Sequence, residues 1–144
     1  MGRVTARSEG LFLDTSYAIA LLSKRDKFHS AATELALEIE SEDITVVTTR
    51  AVIFEIGNAL AKPPLRQCAI QLIESLQTDR AVEIVEHNET FRAEAFLLFR
   101  NRPDKEWSLT DCLSFIVMSS WGMTQALTAD THFEQAGFHA LLRE

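Results

Sequence analysis

Short apolar, β-branched runs alternate with amphipathic helical stretches along this chain, and that alternation constrains the fold more than any other feature. Leu11-Phe12-Leu13, Ile44-Thr45-Val46-Val47-Thr48, Val82-Glu83-Ile84-Val85 and Ala126-Leu127-Thr128 read as strands. Thr15–Leu22 follows the first as a helix, and Phe28, Ala31, Leu35 and Ile39 recur at helical spacing over 28–41. Further helices are predicted over 49–62, 65–78, 89–101 and 109–121, with Gly122 capping the last. Pro63-Pro64 stops the first of these and turns 49–79 into a helical hairpin, because proline cannot donate to a helix ladder. A short helix at Thr131–Ala136, ended by Gly137, and an edge strand over Phe138–Leu142 complete the pattern. Strands alternating with helices predict an α/β protein, a three-layer α/β/α sandwich around a central, mostly parallel sheet. A chain of 144 residues without repeats or linkers reads as a single domain over 1–144, with residues 1–10 a flexible lead-in.

The formal net charge of −7 argues against a protein held to nucleic acid by a generally basic surface. It leaves a nuclease open, since acids gathered around a metal lower the charge without touching the rest of the surface. The longest apolar-rich stretch, Leu113–Leu127, contains Ser114, Ser119, Ser120, Gly122, Thr124 and Gln125 and is no membrane span. Leu11-Phe12-Leu13 falls far short of a signal-peptide core, so a cytoplasmic location is expected. Cys68 and Cys112 share no metal-ligand spacing and read as buried reduced thiols.

The position of the acids carries the chemistry. In an open parallel sheet, ligands collect beyond the carboxyl ends of the strands. Asp14 directly follows the first strand, and Asp130 follows the Ala126–Thr128 strand after one residue. Asp111 lies in the first turn of its helix, and Glu55 lies in the first two turns of the helix after the second strand. Each aspartate has a plain alternative as a helix cap or first-turn dipole partner. Glu55 is harder to explain that way. It sits in the mainly apolar Ala51–Leu60 segment, where an acid is costly to desolvate unless it meets a cation or a solvent-filled cleft. Carboxylates at about 4 Å repel by roughly 4 kcal/mol per pair at an effective dielectric near 20, so a cluster of four needs protons or a divalent cation. Oxygen ligands suit Mg²⁺ or Mn²⁺ and not zinc. Such a site activates water for phosphodiester hydrolysis.

Thr15, Ser16 and Thr110 adjoin these acids and are candidates to bond the carboxylates, metal waters or a substrate phosphate; capping is the alternative for each. Asn58, one turn beyond Glu55, is a candidate to hold its carboxylate or a substrate oxygen. Asp104 fits either the acid cluster or a solvated turn. His29, His87, His132 and His139 have no mutual metal-ligand spacing and read as exposed bystanders. Trp107 reads as a wedge between helices rather than a base-stacking platform. Arg50, Lys62, Arg66, Arg100, Arg102 and Lys105 are candidate phosphate contacts, with ordinary surface charge the plainer reading.

Leu11-Phe12-Leu13-Asp14-Thr15-Ser16 resembles the opening motif of PIN-domain ribonucleases. Trp107-Ser108-Leu109-Thr110-Asp111-Cys112 resembles their third acidic motif, particularly in VapC-type toxins of bacterial toxin–antitoxin pairs. Ala126-Leu127-Thr128-Ala129-Asp130-Thr131-His132-Phe133 is similar to the C-terminal motif, and Glu55 with Asn58 and Leu60 fits the second acidic one. The resemblance implies a Rossmann-like PIN fold and a Mg²⁺- or Mn²⁺-dependent endoribonuclease. It implies Asp14 and Asp111 as direct metal ligands, with Glu55 and Asp130 completing the cluster. It also implies an RNA substrate, a homodimer, and a small antitoxin whose C-terminal segment covers the acids.

Two further readings compete. One is a PIN nuclease of RNA processing that is not a toxin, which shares the same acids. The other is a receiver-like signalling or interaction domain without nuclease activity. A receiver needs an aspartate after its third strand and a late lysine; Val82–Val85 leads to Glu86-His87, and the last lysine is Lys105.

Overall fold

The computed structural model describes residues 10–144. Among these, five strands form one sheet in the order β3-β2-β1-β4-β5, every neighbouring pair parallel. The strands are β1 (Leu11–Leu13), β2 (Val46–Thr49), β3 (Val82–Val85), β4 (Gln125–Leu127) and β5 (His139–Ala140). The helices are α1 (Thr15–Leu22), α2 (His29–Ser41), α3 (Arg50–Ala59), α4 (Arg66–Thr78), α5 (Glu89–Asn101), α6 (Leu109–Ser120) and α7 (Thr131–Gln135). A 3-10 turn at Leu141–Arg143 follows β5. The central strands β1, β2 and β4 are buried at every residue, as expected where helices cover both faces of a parallel sheet.

Where boundaries differ from the sequence reading, a specific hydrogen bond or steric limit explains the shift. Ile44 was expected to open β2. Its amide instead closes α2 by donating to the Ile39 carbonyl at 3.0 Å, with Asp43 at φ 53° making the left-handed turn. α3 ends at Ala59 rather than Lys62: Pro63 has no amide proton to give the Ala59 carbonyl, and it disfavours helical backbone at Lys62 before it. The final strand shrinks to two residues, since the Phe138 amide turns back to the Phe133 carbonyl and the Leu142 amide goes to the Thr128 carbonyl. Gly122 does cap α6: at φ 69° its amide reaches the Ser119 carbonyl, while that of Met123 reaches the Met118 carbonyl.

The proposed lead-in lies outside the described residues except for Gly10, which is buried rather than loose. Its φ is +78°, and a Cβ there would stand 3.0 Å from the Thr45 carbonyl oxygen, the atom that accepts from the Leu11 amide. Only glycine lets the chain enter β1 this closely along β2.

A line of aromatic rings ties the elements that carry the acids. Phe133 of α7 meets Phe12 of β1 at 6.3 Å and Phe115 of α6 at 4.9 Å, and Phe115 meets Trp107 at 5.1 Å. Trp107 is buried and donates from Nε1 to Gln135, so it wedges α6 against α7 as expected. The two edge-to-face pairs, Phe133–Phe115 and Phe115–Trp107, contribute about 0.5–1.5 kcal/mol each beyond burial. They fix α6 and α7 over β1 and β4 and so set where Asp111 and Asp130 stand. Cys112 is buried, whereas Cys68 is only half-buried.

Candidate active site

Parallel β1 and β4 lie side by side, with Leu13 opposite Leu127. The chain leaves both strands at the same rim, so Asp14 and Asp130 emerge as neighbours there. The Asp14 amide still reaches the Leu127 carbonyl, at 3.2 Å. Its side chain caps α1, and one oxygen, Oδ2, takes three bonds: from Thr128 Oγ1 at 2.7 Å, from Ser16 Oγ at 3.0 Å and from the Ser16 amide at 3.4 Å.

Asp14 is 4% exposed. Burial pushes its carboxyl up to about 6, and the nearby Asp111 charge pushes the same way, against the Thr128 and Ser16 hydrogen bonds. Thr128 also accepts from the Asp130 amide, and Ser16 Oγ accepts from the Ala129 amide. The turn after β4 is therefore pinned to the first turn of α1 by two hydroxyls, which is why β4 ends one residue earlier than the sequence suggested.

Asp111 is held by a capping box: Ser108 Oγ accepts from the Asp111 amide, and Asp111 Oδ2 accepts from the Ser108 amide. The same Oδ2 lies 3.1 Å from His132 Nδ1, and that nitrogen lies 3.4 Å from Asp130 Oδ1. Asp130 in turn caps α7 through the His132 amide. Asp111, Asp130 and His132 each present a ligand atom within 4.8 Å of the others.

His132 corrects the reading of the histidines as bystanders. It is half-buried between two acids, and the available signal was its place in Asp130-Thr131-His132, in the first turn after a rim carboxylate. His29 also has a structural role, its Nδ1 lying 2.8 Å from the Ala20 carbonyl.

Glu55 joins through Thr15, whose hydroxyl donates to Glu55 Oε1 across the α1–α3 packing. The residue after Asp14 thus holds the Glu55 carboxylate of α3. Thr15 and Ser16 both bond carboxylates, as the sequence allowed. Asn58 is exposed, and Thr15 takes the role considered for it. Thr110 is half-buried; its carbonyl accepts from Ser114, and it lines a cavity with Ala51, His87 and Leu113. Asp104 belongs to the solvated turn, paired with Arg102 through two hydrogen bonds that hold its carboxyl down at about 2. Of the basic candidates, Arg102 is committed to Asp104, Arg50 to Glu86 and Arg66 to the Ala61 carbonyl.

Each aspartate thus caps a helix, and capping alone would explain each one singly. It does not explain why three capping acids and Glu55 converge on one rim with a histidine between two of them. The donor set fits a divalent cation: mostly carboxylate oxygens, on elements fixed by the aromatic core, with Asp14 pushed towards protonation by its burial and by the Asp111 charge. The one nitrogen, from His132, widens the all-oxygen set read from the sequence.

The sequence profile of the PIN domain matches residues 11–139. The chain belongs to the PIN-domain family. Among solved structures, this PIN domain is similar to Mycobacterium tuberculosis VapC20, described as a sarcin-ricin loop cleaving toxin. The TM-score is 0.79 at 23% identity, over 90% of this chain and 97% of that one. The likeness is one of fold and accounts for the five-stranded parallel sheet. No curated protein sequence matches. Membership of the PIN family removes the receiver-like alternative. No helix among the described residues is long and apolar enough to cross a membrane.

Proposed function

We propose that this PIN domain is a divalent-metal-dependent endoribonuclease acting as the toxin of a VapC-type toxin–antitoxin pair in the cytoplasm. The observation that carries the reading is the buried Asp14 carboxyl, raised towards 6 and facing the Asp111 charge, beside the Asp111–Asp130–His132 cluster. Acids packed this way are poised for a cation. Asp14, Asp111, Asp130 and Glu55 are the catalytic acids of the proposal. Asp14, Asp111 and Asp130 hold Mg²⁺ or Mn²⁺, with Glu55 through water or at a second ion and His132 between Asp111 and Asp130. When bound, the cation lowers the pKa of a water and stabilises charge on the phosphate oxygens.

The remaining work falls to the chain. Thr128 and Ser16 aim Asp14 Oδ2, the capping box aims Asp111, and Thr15 fixes Glu55. A carboxylate that meets the cation already oriented loses little further entropy, as preorganised sites require. The likeness to a toxin that cleaves the sarcin-ricin loop makes ribosomal RNA the first substrate to try. The net charge of −7 suits an antitoxin with a basic C-terminal segment lying over the acids. Phe96, Leu97 and Phe99 leave an exposed apolar strip on α5, which suits a homodimer.

Induced expression tests the toxin reading. Growth should arrest and recover on co-expression of a small neighbouring reading frame, and Asp111→Asn should leave growth untouched. Normal growth under full expression of the intact protein would refute the toxin assignment.

A further inference from the structure

The chain is acidic overall, yet one stretch beside the acids is basic. The loop between α1 and α2 carries Lys24, Arg25 and Lys27, all exposed, against the single acid Asp26, whose Oδ1 accepts from the Phe28 amide. Arg143, from the 3-10 turn after β5, joins them. Its guanidinium lies 5.4 Å from the centre of the Phe28 ring, and Lys27 Nζ lies 5.1 Å from the same centre. None of these four cations forms an ion pair among the described residues. Arg50 and Arg102, which the sequence offered as phosphate contacts, are instead taken up by carboxylates.

Hydrogen bonds tie this patch to the acids. Arg143 Nε donates to the carbonyl of Ala129, the residue before Asp130. The Ala129 amide donates to Ser16 Oγ, which in turn donates to Asp14 Oδ2. The backbone under Arg143 is anchored as well: Leu141 and Leu142 are buried, and the Leu142 amide donates to the Thr128 carbonyl. α2 begins at the same place. Its N-cap, Phe28, supplies no side-chain bond, and its first turn holds no acid, so the positive end of the helix dipole adds to the patch.

We propose that Arg143 and Lys27 each hold a backbone phosphate of the RNA, on the stretch of strand that leaves the acids past Asp130. The proposal rests on the nuclease reading above and deepens it. A cluster of carboxylates repels the phosphodiester it is to cut, and cations beside it offset that repulsion. Arg143 spends its Nε–H on Ala129 and keeps both Nη groups for phosphate oxygens. Its place against the Phe28 ring holds the guanidinium ready, so little further side-chain freedom is lost when an anion arrives. Contacts of this kind position a strand without reading its sequence, so the patch sets register at the acids and leaves base choice to other contacts.

The salt dependence of RNA binding tests it. A short fluorescein-labelled RNA of random sequence is titrated with the protein in EDTA, which keeps it uncut, over a series of KCl concentrations. Each phosphate contact to a single strand contributes about 0.7 to the slope of log Kd against log salt. Arg143→Gln and Lys27→Gln should each lower that slope by about 0.7 and weaken binding by up to about fivefold. Arg143→Lys, which keeps the charge without the Ala129 bond, should restore the slope. Arg80→Gln removes the same charge from an exposed side chain just before β3, at the opposite end of the strands, and should leave the slope unchanged. Melting curves show that each variant is folded, and each is also assayed for cutting of the same RNA in Mg²⁺.

Cutting by the intact protein, with a slope unchanged in Arg143→Gln or Lys27→Gln, would overturn the phosphate patch and leave the nuclease reading standing. A slope that depends on the patch, without any cutting, would overturn the nuclease reading while the patch remains. A slope that Arg143→Lys fails to restore would make Arg143 a brace for the Asp130 turn and overturn its phosphate role. An equal fall in Arg80→Gln would reduce the effect to net charge and overturn the proposal, as would the absence of any RNA binding.

Discussion

Replacing Asp14 by Asn is expected to stabilise the metal-free protein at neutral pH. A carboxyl held at about 6 in the fold, against 3.8 in the unfolded chain, is about 3 kcal/mol worse off ionised than protonated. Between pH 3.8 and about 6 the folded state keeps a proton that the unfolded chain has released, so stability falls as pH rises through that window and is level above it. Asparagine has the shape of the protonated carboxyl. Since Thr128 and Ser16 all donate to Oδ2, its amide oxygen can take over all three bonds. The variant should match the wild type near pH 4 and exceed it by up to about 3 kcal/mol at pH 7. Urea unfolding in EDTA, run from pH 4 to 8, reads this directly. Mg²⁺ at about a hundred times its Kd should then return about 2.7 kcal/mol to the wild type and nothing to the variant. A pH-independent difference, or a variant less stable at pH 7, would refute the argument that burial holds the Asp14 carboxyl towards its protonated form.

Thr128→Val keeps the shape of a fully buried side chain but strips Asp14 of its shortest hydrogen bond and the Asp130 amide of its acceptor; a loss of about 1–3 kcal/mol is expected in urea unfolding. Gly10→Ala combines a φ of +78° with a Cβ 3.0 Å from the Thr45 carbonyl, and its melting temperature should fall by the equivalent of about 1 kcal/mol or more. Asp104→Asn removes an exposed pair with Arg102 remote from the acid cluster, so RNA cleavage should be unchanged; loss of cleavage would bring Asp104 into the site.

The sheet and its acids were legible in the sequence because each rests on a local rule. A continuous apolar run marks a strand buried on both faces, and the fold rule then selects the residues that follow it. Asp14 and Asp130 could be found that way, and Glu55 by its cost in an apolar helix. What the sequence hid depends on contacts between distant segments. Thr128 looked like the last residue of a strand, yet its hydroxyl serves Asp14, 114 positions away. His132 looked isolated because its partner Asp111 lies 21 positions upstream, brought close only when Phe133 packs on Phe115. Asp104 could not be assigned from spacing, since a loop acid fits a solvated turn as well as an acid cluster, and only the fold shows it paired with Arg102. The start of β2 was hidden in the same way: Ile44 is as β-prone as its neighbours, but the left-handed turn at Asp43 commits its amide to α2.

The central claim is that the acids on this rim cut RNA with a divalent cation. Its most direct test is cleavage of end-labelled total RNA by the purified protein in Mg²⁺ or Mn²⁺, beside the same reaction in EDTA and beside Asp111→Asn. Discrete cuts that need the metal and vanish in the variant, with the variant still folded, are the result this account predicts. Cuts that persist in EDTA or in Asp111→Asn would contradict it.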